Sequence, residues 1–253
     1  MARNEDTRPR HQQIAAELRA AIMSGDLPPG KRLPTTQQLM TRYEVTGQTV
    51  QRTLQVLKTE GFVFGKPGVG VFVRTESPLG IQVSSYLGPP EQGGTHPWLG
   101  RARERGQKGS TTLLRVDRVD PPAQITEALA LEPGESVLLR HQLLFLDGEP
   151  AELVWNYYPL SIAEGTPLER RARIRGGSPA LLTELGFPPR EHIDRVSVRL
   201  STTEEFEALE LPEDVPVLRT LRTVYSDEGR PVEVCVLVKA GHRFELVYRN
   251  DVP

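Results

Sequence analysis

Cysteine is almost absent from this 253-residue chain: Cys235 stands alone. One thiol cannot close a disulfide within a single copy, and between Val234 and Val236 it reads as a small hydrophobe in a strand. No run of about 18 apolar residues occurs, which excludes a membrane-spanning helix. Asn4, Glu5 and Asp6 precede any apolar stretch, so the amino terminus does not read as a signal peptide and a cytoplasmic protein is expected. The five histidines, His11, His96, His141, His192 and His242, show no His-x-x-His or Glu-x-x-His spacing. The glycine-rich stretch 65–70 lacks the Lys-Ser/Thr ending of a phosphate loop. Neither a metal centre, a bound cofactor nor an activated nucleophile is therefore expected, and the chain does not read as an enzyme.

With 38% hydrophobic and 25% charged residues, the chain has the composition of a globular protein with real cores, as one large or two ordinary domains. Its first third is the most informative part. Pro9 suits a first helical turn, and Ile14, Leu18, Ala21 and Ile22 recur at helical spacing up to a stop at Gly25. Thr35 or Thr36 caps a second helix with Leu39, Met40 and Tyr43 inward and Gln37 and Gln38 outward. Thr46 or Gly47 begins a third helix, where Val50, Leu54 and Leu57 face a core and Gln48, Thr49, Gln51 and Arg52 face solvent. Phe62-Val63-Phe64 and Val71-Phe72-Val73 then flank a turn containing Gly65, Lys66, Gly68 and Gly70, a hairpin able to approach a groove. Three short helices and such a hairpin are the plan of a winged helix-turn-helix, in which the tip of the third helix meets base edges in the major groove.

Charge is divided in the same sense. Residues 1–75 hold 11 Lys+Arg against 6 Asp+Glu, a net of +5, whereas residues 76–253 hold 20 against 27, a net of −7. A basic module ahead of an acidic one predicts that a polyanion meets only the first. Lys31, Arg32, Arg52 and Lys66 are the expected phosphate contacts, with Thr35, Thr36, Gln37, Thr46, Gly47, Gln48, Thr49, Gln51, Gly68 and Gly70 completing the DNA face.

Residues 76–95 are rich in Gly, Pro and Ser and read as a linker, in which Ile81, Val83 and Tyr86 could form a short strand. Residues 96–253 read as a second domain. Helices are expected over Trp98–Arg105, Ala123–Leu131, Ser178–Leu185 and Thr203–Leu209. Strands are expected at Leu113–Val116, Val137–Leu146, Ala151–Tyr158, Glu191–Leu200, Val217–Tyr225, Val232–Val238 and Phe244–Tyr248, the last closing the sheet. Asp147-Gly148 and Asp227-Glu228-Gly229-Arg230 supply hairpin turns. Strands joined by hairpins with helices between them describe an α+β domain on an antiparallel sheet.

Gln13-Ile14-Ala15, Leu18-Arg19, Gly25-Asp26-Leu27-Pro28-Pro29-Gly30, Leu33-Pro34, Val45-Thr46, Thr49-Val50-Gln51-Arg52, Glu60-Gly61 and Gly68-x-Gly70-x-Phe72-Val73 together resemble a GntR-family DNA-binding domain. Arg140, Asp147-Gly148-Glu149-Pro150, Tyr158-Pro159, Leu211-Pro212, Pro216-Val217-Leu218 and Gly229-Arg230-Pro231-Val232-Glu233 resemble the UTRA effector domain of the HutC subfamily, whose fold is similar to that of chorismate lyase. The resemblance implies a homodimeric transcription regulator, usually a repressor, that leaves a palindromic operator in double-stranded DNA, at the nucleoid, when a small molecule binds its second domain. Effectors in such proteins are as different as urocanate, sugars, amino-sugar phosphates, phosphonates and fatty acids.

The same resemblance places Gln37, Gly47 and Gln51 where relatives often carry arginine. Glutamine pairs best with adenine and arginine with guanine, so a different operator is expected, read by Gln48 and Gln51. It places Arg140, Glu152 and Glu233 on positions that line an effector pocket, with Gln142 in place of the second arginine of a phosphate clamp and Lys239 near a position that is otherwise tyrosine. Loss of that guanidinium favours a neutral or carboxylate effector over a phosphorylated one. Tyr157 is counted with the pocket, while Trp155, Tyr157 and Tyr158 stay open between pocket wall and core. For Arg140, an ion pair with Glu152 or Glu233 inside the sheet is the structural alternative. Two other functions remain to be weighed: an architectural DNA-binding dimer without an effector, and a chorismate-lyase-like enzyme.

Overall fold

A computed structural model describes residues 6–75, 79–82, 97–104, 106–213 and 215–247, which fall into two units, Met1–Pro78 and Leu79–Pro253. Three helix starts organise the first. Pro9 precedes α1 (Arg10–Met23), Thr35 caps α2 (Thr36–Tyr43) and Thr46 caps α3 (Gly47–Thr59). Of the two candidate caps for α2, Thr35 is the one used. Its backbone N–H donates to Gln38 Oε1 at 2.8 Å and its hydroxyl accepts from the Gln38 N–H at 3.2 Å, a reciprocal capping box.

The periodic apolar residues meet in one core made of Ile14 and Leu18 from α1, Leu39 from α2, and Val50, Leu54 and Leu57 from α3. The hairpin of β1 (Val63–Lys66) and β2 (Gly70–Val73) closes that core through Val63 and Val73. Arg19 on α1 pairs in a bidentate manner with Glu60 at the end of α3. Because Glu60 is buried, this pair ties the first helix to the third.

The second unit contains β3 (Leu79–Gln82), α4 (Pro97–Glu104), β4 (Gly109–Val119), α5 (Ala123–Ala128), β5 (Val137–Leu146), β6 (Glu149–Pro159), α6 (Leu160–Ala163), α7 (Gly177–Glu184), β7 (Glu191–Arg199), α8 (Thr203–Ala208), β8 (Val217–Tyr225), β9 (Pro231–Ala240) and β10 (Phe244–Val247). A 3-10 turn at Pro167–Glu169 lies between α6 and α7. Six strands form one antiparallel sheet in the order β4-β5-β6-β9-β8-β7. Asp147 and Gly148 both take positive φ, 52° and 87°, as the tight turn between β5 and β6 requires.

Two expectations change. Phe244–Val247 does not close the sheet but pairs in parallel with β3, Phe244 opposite Leu79. The preceding strand β9 is already flanked on both sides by β6 and β8, so a following strand has no free hydrogen-bonding edge beside it. Within the segment expected to be a linker, Leu79–Gln82 are thus a strand of the second unit. Val83, Tyr86 and Tyr248 lie outside the described residues.

Helices cover both faces of the sheet. On one face Leu138, Tyr158, Val224 and Val232 pack with Ile162, Leu168, Leu181 and Leu182 from α6, the 3-10 turn and α7. Further along that face Leu144, Ala151 and Val154 pack with Ala102 of α4 and Phe244 of β10. The opposite face is apolar, with Leu139, Tyr157, Leu221 and Val234 against Ile125 and Leu129, and Leu153, Val217 and Val238 against Leu209 and Leu211.

Candidate nucleic-acid interface and effector site

Along α3 the positions not used by the core form a single exposed face, Gln48, Gln51, Arg52 and Gln55 at i, i+3, i+4 and i+7. Among the described residues, Gln48, Gln51 and Arg52 make no side-chain hydrogen bond or ion pair. Gln37 is likewise exposed on α2. The threonines differ. Thr35 is occupied by its capping box, and Thr46 accepts from the Thr49 N–H at 3.4 Å while its hydroxyl lies 3.1 Å from that of Thr49. These three primarily shape the ends of α2 and α3. Thr36 and Gly47, the first residues of those helices, are partly buried. Gln55 extends the exposed face and escaped the sequence reading, although its i+7 spacing from Gln48 marks it.

The hairpin presents Lys66 and Gly68 at its tip, both exposed. The Lys66 ammonium stands 5.7 Å and 5.0 Å from the ring centres of Phe64 and Phe72, close enough for cation–π attraction. Arg32 pairs with Phe72 as an isolated bridge. Its side chain crosses Gly70, where an added Cβ would stand 2.6 Å from Arg32 Nε and where φ is +145°. Gly70 thus serves the wing by admitting Arg32. Lys31 is exposed and only weakly held, its Nζ 3.5 Å from the carbonyl of Asp26.

In the second unit, pairing register decides which predicted residues meet. Arg140, Asn156, Cys235, Arg222 and Asp194 lie opposite one another on five successive strands, and residues so paired point to the same face. Gln142 stands two residues along β5 from Arg140, and Glu152 pairs with Lys239 in a further row of that face. Polar side chains therefore form a belt between the two apolar clusters of this face. Tyr157 is not in it: odd parity sends its ring to the opposite core with Leu139 and Val234. Tyr158 is the tyrosine of the belt, donating its hydroxyl proton to Glu233 Oε1 at 2.5 Å. Trp155 also belongs to the opposite face, stacked on His141 with ring centroids 4.6 Å apart.

The charges of the belt are paired, but not as expected. Lys239 Nζ donates to Glu152 Oε1 at 2.6 Å, and Arg222 reaches both oxygens of Asp194 at 2.7 and 2.6 Å. Arg140 pairs with neither Glu152 nor Glu233. Its Nη1 donates to the carbonyls of Leu168 at 2.5 Å and Arg170 at 2.8 Å, and its Nη2 to that of Ala172 at 2.7 Å. Burial lowers the Arg140 guanidinium from its ordinary value. Burial pushes the phenol of Tyr158 and the thiol of Cys235 well up, each further raised by the charge of Glu233.

Arg140 Nε is a buried polar atom of the belt without a partner among the described residues, and the side chains of Gln142 and Asn156 stand on the same face beside it. Arg140 is 1% exposed, so water satisfies its free N–H poorly. Asn156, Arg222 and Asp194 were not singled out in the sequence, and Tyr158 was left open there between pocket wall and core. The signal was available only through register, since Asn156 pairs with Arg140, Arg222 with Cys235 and Asp194 in turn with Arg222. No group of three or more His, Cys, Asp or Glu among the described residues could hold a metal ion, and no described helix is long and apolar enough to cross a membrane.

Residues 10–73 match the family of bacterial regulatory proteins called gntR, and residues 104–245 match the UTRA domain. The chain is 30% identical over 252 residues to the transcriptional regulator PhnF of Escherichia coli, covering 95% of each. It is 29% identical over 257 residues to an HTH-type transcriptional regulator of Streptomyces coelicolor, covering 97% of this chain and 94% of the relative. A crystal structure of a GntR-family transcriptional regulator, 26% identical, superposes with a TM-score of 0.62 over 97% of this chain and 99% of that one. PhnF from Mycobacterium smegmatis, 18% identical, gives 0.60 over 95% and 100%, a likeness of fold. The matched relatives are regulators of transcription, not enzymes.

Proposed function

The chain belongs to the gntR family of bacterial regulatory proteins and is a transcriptional regulator with a DNA-binding domain followed by a ligand-binding UTRA domain, and from that premise we propose that it is a cytoplasmic, nucleoid-associated repressor. It binds a palindromic operator as a homodimer and leaves it when a small molecule occupies the polar belt. The supporting observation for DNA reading is the α3 face of Gln48, Gln51, Arg52 and Gln55, exposed at the tip of a capped helix. Glutamine at Gln48 and Gln51 favours adenine, each bidentate pair contributing about 1–3 kcal/mol of discrimination. Lys31, Arg32, Arg52 and Lys66 grip phosphate.

The effector reading rests on the unpartnered Arg140 Nε and the amides of Gln142 and Asn156 on the same face beside it. The amides of Gln142 and Asn156 can each donate and accept, and Arg140 Nε–H can donate. Arg222 and Lys239 are already matched by Asp194 and Glu152, so the belt has little positive charge to spare for a phosphate dianion. A polar effector that is neutral or carries a single carboxylate fits this arrangement. Edge strand β7 supports dimerisation: Val198 is 65% exposed and Leu200, just beyond the strand, 70%, apolar surface of the sort that a second copy covers. Effector-induced change in the separation of two recognition helices needs only about 1–3 kcal/mol of coupling to alter operator occupancy.

Selection of bound fragments from the organism's own genome tests the DNA reading, and an inverted repeat shared by the recovered fragments is expected. A thermal-shift screen of polar metabolites tests the effector reading. A ligand at 100 times its dissociation constant stabilises the native state by about 2.7 kcal/mol. A chain that binds DNA with weak sequence preference and responds to no ligand would be an architectural dimer instead.

A further inference from the structure

The segment between the 3-10 turn and α7 carries Arg170, Arg171, Arg173 and Arg175, four guanidinium groups in six residues of a domain whose net charge is negative. All four are exposed. Among the described residues none of the four side chains has a hydrogen bond or an ion pair. Nearby carboxylates are bonded elsewhere: Glu164 and Glu169 both accept from Arg118, at 2.8 and 2.9 Å, and Asp117 from Arg115 at 2.7 Å, with Arg171 adding only a lesser electrostatic attraction to Asp117. Where carboxylates outnumber cations, unpaired arginines crowded on one loop are not explained by solubility or by internal pairing.

The backbone beneath these arginines is fixed. Leu168 is buried and Ile174 packs against the apolar cluster of α6 and α7. Arg140 holds the carbonyls of Leu168, Arg170 and Ala172 from inside the domain. The loop is thus a platform presenting four positive charges outward, and guanidinium groups suit bidentate contact with phosphate. We propose that this loop is a second, sequence-independent contact for the phosphate backbone of duplex DNA, additional to the winged helix-turn-helix, so that the polyanion expected from net charge to meet only the first domain also meets this local cluster of the second. The proposal rests on the reading of this chain as a DNA binder, whose duplex is the polyanion at hand. It also assigns a role to the Arg140 clamp, which sets the posture of a surface in contact with DNA from a position in the effector belt.

The test uses the full chain and two duplexes, one carrying the selected operator and one of random sequence, titrated between about 50 and 200 mM salt. Each phosphate contact contributes about 0.9 to the slope of log K against log salt. The triple variant Arg171→Ala, Arg173→Ala, Arg175→Ala is expected to reduce that slope by about 1–3 on both duplexes while leaving the ratio of their affinities unchanged. The corresponding triple lysine variant is expected to retain the slope. Should the alanine variant not fold, the single changes to glutamine serve, each lowering the slope by up to about 0.9. An unchanged slope in folded variants overturns the proposal and assigns the arginines to another partner, such as an acidic protein. Failure of the unaltered chain to bind either duplex would instead defeat the underlying DNA-binding reading.

Discussion

His141 lies flat against Trp155, and burial, reinforced by the positive charge of Arg115, lowers its pKa from 6.5 to about 4. Between those two values the unfolded chain takes up a proton that the native one refuses, so this histidine makes stability fall as pH drops through the window from 6.5 to 4. The substitution His141→Phe keeps a flat ring on Trp155 and removes the titration. The acid-side loss in unfolding temperature is then expected to be smaller than in the unaltered protein, and an identical pH profile would refute this. Cys235 gives a second residue-level expectation. Burial and the neighbouring Glu233 hold it as a thiol, and the thiolate is the reactive form, so alkylation should proceed only on unfolding. At the DNA face, Gln51→Ala should lose preference at one base pair by about 1–3 kcal/mol, whereas Lys66→Ala should weaken binding to every sequence alike. Equal losses on operator and random duplex from the glutamine change would remove Gln51 from base reading. Tyr157 and Tyr158 differ by one position and therefore face opposite sides of the sheet, and only the pairing of β6 with β5 and β9 decides which belongs with Arg140.

Elements whose specification is local were readable in advance. The spacing of Val50, Leu54 and Leu57, a cap at Thr35 or Thr36, a start at Thr46 or Gly47 and the Asp147-Gly148 turn each depend on a few adjacent residues. Partners distant in sequence were not readable: β10 bonds to β3, Phe244 opposite Leu79 near the other end of the domain's sequence, and no pattern within Phe244–Val247 announces it. The Arg140 clamp is hidden for a related reason, since its acceptors are backbone carbonyls, which any residue supplies. Arg140→Ala should release that loop, seen as faster amide exchange over residues 167–175 with little change in the amino-terminal unit. Unaltered exchange would show that the loop holds itself. In the wing, Gly70 has a φ of +145° and the Arg32 side chain across it. Gly70→Ala is expected to destabilise the first unit by about 1–3 kcal/mol, checked by denaturant unfolding and accompanied by weaker DNA binding.

The whole molecule joins a unit of net charge +5 to one of −7, and its proposed operation depends on a second copy. Charging the exposed apolar edge tests that dependence. The double variant Val198→Glu, Leu200→Glu should sediment as a monomer and lose operator affinity while its isolated protomer stays folded; an intact dimer would place the interface elsewhere. Beneath every such prediction lies the claim that α3 reads sequence in duplex DNA. The most direct measurement is recovery of genomic fragments by the purified full-length chain at roughly 100 mM salt, an ionic strength at which surface charges are screened beyond about 10 Å. Enrichment of fragments sharing a short inverted repeat is expected, lost in the double variant Gln48→Ala, Gln51→Ala. Recovery no different from random DNA, or enrichment indifferent to both glutamines, would contradict it.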